Sequence, residues 1–183
     1  MAIDKIQAES INLADTFAFT GTVTGTPGIT MADNWRVTAA MSFGSSEADM
    51  TANWEQVDTT GQGTLGSAMT QSSGVFTFPS TGIYLVTANV SAYRSGDARY
   101  VNLMLKLTTN NSSYSTIAES YDSIEQAESS STYANLTANT LLDVTDTTNI
   151  KIKFAIRATQ NSYFKGSSTN NENSFTFLRL GDT

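Results

Sequence analysis

The sequence predicts an all-β protein in which antiparallel strands pack as a two-sheet sandwich or jelly roll. Three observations predict it. Charged residues make up only 15% of the 183-residue chain, below the quarter usual in soluble domains, and Ser, Thr, Asn and Gly fill the gap. Apolar residues recur at every second position in run after run, the period of a half-buried strand. Gly, Pro, Asn and Asp punctuate those runs at short intervals. Hydrophobic residues, at 39%, are enough for a real core.

The elements follow in order. Residues 1–30 read as an N-terminal β arm that docks on another surface, and 31–183 as the sandwich. In the arm, Ile11 and Leu13 are sparse apolar points, and strict alternation then places Phe17, Phe19, Gly21 and Val23 on one face. A short strand burying two phenylalanines needs a neighbour, so Ile11, Leu13, Phe17, Phe19 and Val23 are the candidate docking residues. The alternative is that this stretch is simply the first strand of the same sandwich. Gly25-Thr26-Pro27-Gly28 reads as a linker or turn.

From Trp35 onward, about eight β runs follow one another. Trp35 to Met41 and Asn53 to Val57 open the series, and Gly74 to Pro79 and Gly82 to Val90 carry it on. In Tyr100 to Thr108, Val101, Leu103, Leu105 and Leu107 share a face. Ser130 to Val144, Ile150 to Ala158 and Ser174 to Leu180 complete the set. Only Tyr114 to Ala127 hints, weakly, at a helical spacing.

Composition excludes several functions. The net charge is −7 and the ten Lys and Arg are scattered, so no cationic face exists for nucleic acid. There is no Cys and no His, which removes disulfides, ordinary zinc and haem sites, and every Ser-His-Asp or Cys-His arrangement. No run approaches the ~20 apolar residues of a membrane helix. Met1 to Lys5 lacks the apolar stretch of a signal peptide, so the expectation is a soluble chain that is not exported by the usual route.

The run Ser73-Gly74-Val75-Phe76-Thr77-Phe78-Pro79-Ser80-Thr81-Gly82-Ile83-Tyr84-Leu85-Val86 resembles the most recognisable stretch of complement component one-q globular heads and their tumour-necrosis-factor-like relatives. Ala134 to Val144, followed by Ile150 to Phe154, is similar to that family's paired late strands, and Ser174 to Leu180 to its last strand. One departure is Phe177, where the family usually has Gly. The resemblance spans Trp35 to Leu180 and implies a jelly roll, expected to be non-enzymatic and to form a homotrimer. It implies a threefold interface through Leu85, Thr87 and Asn89, with Phe175 and Phe177, while Tyr84, Val86, Ala88 and Val90 enter the core.

The arm is similar to the N-termini of structural proteins from marine bacteriophages, which implies a virion component partnered by capsid or tail proteins. A capsid decoration trimer, a short head fibre and a tail-tip knob all fit. The alternative is a tail adhesin that recognises host-surface glycans, or a free bacterial recognition protein.

Three loops are rich in Tyr, Ser, Asn, Gly and Arg, a mixture suited to adaptable polar recognition. They offer Tyr93, Arg94, Asp97 and Arg99, then Tyr114, then Tyr163 and Lys165 as partner-facing residues. No cofactor is expected. Asp97, or Asp122 with Glu119, has the oxygen chemistry for calcium but no informative ligand spacing, so no metal is assigned. Glu119, Asp122, Glu125, Glu128, Asp143 and Asp146 are the only material for carboxylate catalysis, and nothing in their spacing pairs two across a cleft. Asp143-Val144-Thr145-Asp146 reads as turn chemistry instead.

Overall fold

The computed structural model describes residues 28–183, and every regular element among them is a strand. The arm's Ile11, Leu13, Phe17, Phe19 and Val23 lie outside the described residues. The strands are β1 (Met31–Val37), β2 (Met41–Phe43), β3 (Ala48–Asp49), β4 (Trp54–Gln56), β5 (Thr70–Ser72) and β6 (Val75–Thr77). They continue as β7 (Gly82–Arg94), β8 (Ala98–Thr108), β9 (Ser115–Ile124), β10 (Thr132–Val144), β11 (Lys151–Ala158), β12 (Ser162–Phe164) and β13 (Ser174–Gly181).

All pairings are antiparallel and fall into two sheets. In the first, the long β7 is bordered along its whole length by β10, and on its other side by β13 and then β12. Beyond β13 lie β1 and β4, and beyond β12 lies β2. The second sheet runs β5-β6-β11-β8-β9, with β3 also on β11. This is a jelly roll. Tyr114 to Ala127, where the spacing hinted at a helix, instead forms β9 on the edge of β8. Thr116, Ile117 and several serines suit a pleated edge, and the ladder to β8 satisfies their backbone.

The core lies between the sheets and is knitted by aromatics. Phe76 meets Trp54 at 4.8 Å, Phe177 at 5.1 Å, Trp35 at 5.4 Å and Phe154 at 5.7 Å. Such rings bury large areas and favour the tilted, edge-to-face contacts seen here. Tyr84, Val86, Ala88 and Val90 all point into this core from β7, and Val101, Leu103 and Leu105 meet them from β8.

The Pro79–Tyr84 segment shows why β7 begins where it does. Pro79 cannot donate to a ladder, and the chain turns over Ser80 and Thr81. Gly82 then takes a φ of 147°, and a Cβ there would lie 2.6 Å from Gly181 O. Tyr84 fixes the turn from inside: its hydroxyl donates to Ser80 O at 2.9 Å while its ring packs on Phe78 at 4.7 Å.

Candidate assembly face

Alternation along β7 sends every second side chain away from the core, and the register lines these up in rows across the first sheet. Leu85 sits between Leu141 of β10 and Leu178 of β13. The next row is Asn139, Thr87 and Thr176, and the next Thr137, Asn89 and Ser174. Asn135 and Ser91 follow, and the last row is Tyr133, Tyr93 and Tyr163. None of these positions carries a charge; the row beyond the leucines, Ile83 with exposed Asp143, does. The polar rows bond to each other: Thr137 Oγ1 donates to Asn89 Oδ1 at 2.8 Å, and Thr176 Oγ1 to Asn34 Oδ1 at 3.2 Å. Such cross-strand pairs brace the sheet and leave a flat neutral surface. At one end the surface is apolar, with Leu141 63% exposed. At the other it is aromatic.

The residues expected at a threefold interface divide. Leu85, Thr87 and Asn89 lie on this outward face. Phe175 and Phe177 do not, and that expectation is corrected. Phe175 pairs with Ala88 and Phe177 with Val86, so both share the core face of the sheet and are fully buried. Phe175 lies 4.6 Å from both Trp54 and Phe154. Phe177 fills the volume beside Phe76, which is what a phenylalanine in place of glycine does at this position. The strand's outward residues are Ser174, Thr176 and Leu178.

The partner-facing residues also divide. Tyr93, Arg94, Tyr163 and Lys165 come together at the end of β7. Tyr93 stacks on Tyr163 with ring centroids 5.5 Å apart and meets Tyr133 at a 38° tilt, 5.6 Å away, and Arg94 Nη1 donates to Asn161 O at 3.0 Å. The Lys165 ammonium lies 5.3 Å from the Tyr133 ring and 2.7 Å from Glu172. The Glu172 carboxylate and, more weakly, the two tyrosines hold Lys165 above the ordinary lysine pKa. Asp97 and Arg99 are exposed in and after the β7–β8 turn, where Asp97 accepts from Gln126 N at 2.7 Å. Tyr114 stands apart, beyond the far end of β8, with Lys153 Nζ 4.3 Å over its ring. There burial, then the neighbouring Asp49 charge, raises the Tyr114 pKa.

Tyr133, Leu141 and Leu178 are the members that reading the sequence missed. Alternation alone puts Tyr133 outward on β10, but only the register shows that it meets Tyr93. The Leu141-Leu142 doublet conceals which leucine faces out.

The acidic residues singled out by the sequence are engaged in local hydrogen bonds. Glu119 Oε2 accepts from Tyr121 at 3.1 Å, and Asp122 Oδ2 accepts from Asn135 N at 3.2 Å. Asp146 accepts from Thr148 N at 2.7 Å and the Asn149 side chain at 2.6 Å, as its turn reading predicts. Among the described residues no group of three or more acidic side chains gathers as a metal site would require.

No family model matches the chain, and a comparison with curated proteins returns no match. Solved structures do match. The Eiger tumour necrosis factor of S. frugiperda superposes with a TM-score of 0.61 at 16% identity, covering 83% of this chain and 93% of that one. Murine APRIL gives 0.58 at 13% identity, with 82% and 98% covered. The fold is the tumour-necrosis-factor jelly roll. The globular domain of the zebrafish complement 1qA protein superposes at 0.51, with 15% identity and coverage of 83% and 98%. At these identities the likeness is one of fold.

Proposed function

We propose that this jelly roll is a non-enzymatic structural module that assembles as a homotrimer through the outward face of β7, β10 and β13. In this reading it serves on a virion surface, as a knob that decorates the capsid or forms a short head fibre. The observation that carries the proposal is the run of uncharged rows from Leu141, Leu85 and Leu178 to Asn89, with exposed Asp143 beside Ile83 marking its edge. A face without charge meets a neighbour without stranding an ion, and an exposed leucine row gains by being covered. The fold shared with tumour necrosis factor and complement one-q domains supports self-association, and the arm's similarity to phage structural proteins supports the virion setting. The absence of His and Cys supports a non-enzymatic role.

Light scattering tests the assembly: the wild type has the mass of three chains at micromolar concentration, and a monomer overturns the reading. The virion setting is tested by imaging particles with this chain labelled. A chain starting at Thr30 folds and trimerises but does not attach to particles, because the arm carries the docking residues. An unfolded product would assign the arm to the sandwich, and a truncated protein that still decorates particles would place attachment elsewhere.

A further inference from the structure

We propose that residues 57–69 form an outer lane of the homotrimer contact, in which Leu65 meets a second copy of this chain and Asp33 holds it in place. The inference rests on the assembly reading above and extends it across the sheet. Residues 57–69 join β4 to β5 with no regular strand or helix of their own, and so long a connection in a compact domain points to function. This one is pinned to β1. Val57 N donates to Asn34 O at 2.9 Å, and Leu65 exchanges both backbone bonds with Ala32, at 3.1 and 2.9 Å. Gly66, at a φ of +69°, comes so near that a Cβ there would stand 2.2 Å from Thr30 O.

Register decides which way Leu65 faces. Residues directly opposite in an antiparallel pair share one side of the sheet. Leu141 pairs with Leu85, Leu85 with Leu178, Leu178 with Ala32, and Ala32 with Leu65. The leucine row of the assembly face therefore continues over two more lanes and ends on a half-exposed leucine. Five lanes span about 19 Å between their outer axes, against about 10 Å for β10, β7 and β13 alone. A stable contact covers ~800 Å² per partner, a patch roughly 28 Å on a side, so the three lanes need the other two. Charge flanks the row without entering it. Asp143 and the Arg179–Asp182 pair stand on one side, and Arg36 with Glu55 and Asp58 on the other. The latch is the buried Asp33. Its Oδ2 accepts from Trp35 Nε1 and Met69 N, both at 2.8 Å, and its Oδ1 from Gln56 Nε2 at 2.8 Å and Thr64 Oγ1 at 3.1 Å. Only a carboxylate offers that many acceptor sites in so small a side chain. Thr64 and Met69 lie on either side of Leu65 in sequence, so the latch fixes the lane before and after it.

The test is sedimentation equilibrium of the full-length protein over a concentration series. Leu65→Asp folds, because its side chain already stands half in water, and weakens association by about tenfold or more, since a charge brought into the contact has no partner there. Asp33→Asn sets an amide donor against donors and weakens association by a similar factor. In a Leu65→Ala background the same change has less than about a threefold effect, because Asp33 acts on assembly through Leu65; a general loss of stability would act alike in both backgrounds. Gly66→Ala lifts the lane without touching the latch and weakens the trimer too, so the test stands even where the Asp33 variant does not fold. A monomeric wild type overturns the assembly reading and this inference with it. A trimeric wild type whose Leu65→Asp variant associates with undiminished affinity overturns this inference alone. So does an equal effect of Asp33→Asn in both backgrounds, or a Leu65→Asp trimer that fails only to attach to particles.

Discussion

The outward faces of the two sheets are built on the same strand geometry and carry opposite chemistry. On the second sheet, Lys106 of β8 pairs with Glu47, and Lys153 of β11 with Asp49 at 2.5 Å. Arg157 of β11 is held by Asn102 Oδ1 at 3.1 Å and the Tyr121 hydroxyl at 3.0 Å. On β7, β10 and β13 of the first sheet the matching positions from Leu85 to Tyr93 are Leu, Thr, Asn, Ser and Tyr, and charge enters only at the margins, as Asp143 beside Ile83 and the Arg36–Glu55 pair of β1 and β4. Charges that have found partners within the protomer still hold their water, and removing that water on association costs more than the contact returns. The neutral face has no such penalty. The comparison teaches that one jelly roll separates a charged side from a largely neutral one through the alternate residues of a few strands.

The strongest way to break this comparison is to confuse inside with outside on β13. Phe177→Ala removes a fully buried ring and destabilises the protomer by about 3–5 kcal/mol, the range for truncating a core aromatic. Leu178→Ala, one residue on, lowers the stability read by urea unfolding by less than about 1 kcal/mol. Equal effects would mean that the face assignment is wrong. Tyr84→Ala belongs with Phe177→Ala, since it loses both the Phe78 contact and the bond to Ser80.

A charge on each face comes next. Thr87→Arg leaves a folded protomer but dissociates the trimer, because like charges crowd one axis; sedimentation reads the mass. Lys151→Glu, on the second sheet, leaves the mass unchanged. Smaller still is the effect of the second sheet's ion pairs. Lys106→Gln and Lys153→Gln each cost less than about 1 kcal/mol, because their partners are solvent-exposed and screened.

The smallest effect lies in the turn that carries the chain from β10 in one sheet to β11 in the other. Asp146 accepts from the Asn149 side chain and the Thr148 and Asn149 amides, and these bonds hold its pKa below the usual carboxylate value. A lowered folded pKa gives stability that is present above the unfolded value and lost as pH falls through the folded one. Asp146→Asn therefore flattens the acid limb of stability slightly, and a carboxyl chemical-shift titration in the wild type finds Asp146 below the usual carboxylate range.

The fold was legible because its signals are local. Alternation through Tyr84, Val86, Ala88 and Val90 identified the core side of β7 without reference to any other strand. The Pro79–Gly82 turn was legible for the same reason, since the constraints belong to the residues themselves. Faces on β13 were not, because Phe175 and Phe177 are as apolar as an interface residue should be. What decides them is the pairing with Ala88 and Val86, a contact across 87 residues. The tyrosine row was half legible: composition flagged Tyr93 and Tyr163 as loop residues, although they stand in β7 and β12, and Tyr133 joined them only through register. The β9 region was misread because on an edge strand the spacing of scattered apolar residues is decided by the neighbour.

The place of β13 has a consequence for how the protein is made. It lies between β7 and β1, and its Phe175 and Phe177 close the aromatic core. Until residue 181 has left the ribosome, β7 and β1 have an unfilled lane between them, and Trp35, Trp54 and Phe76 lack their partners. Nascent chains therefore emerge with an open sheet and cannot complete the sandwich strand by strand. Folding waits for β13, and a ribosome that stops short of Ser174 releases a product with two unpaired strand edges and an exposed core, a substrate for proteases rather than a shortened sandwich.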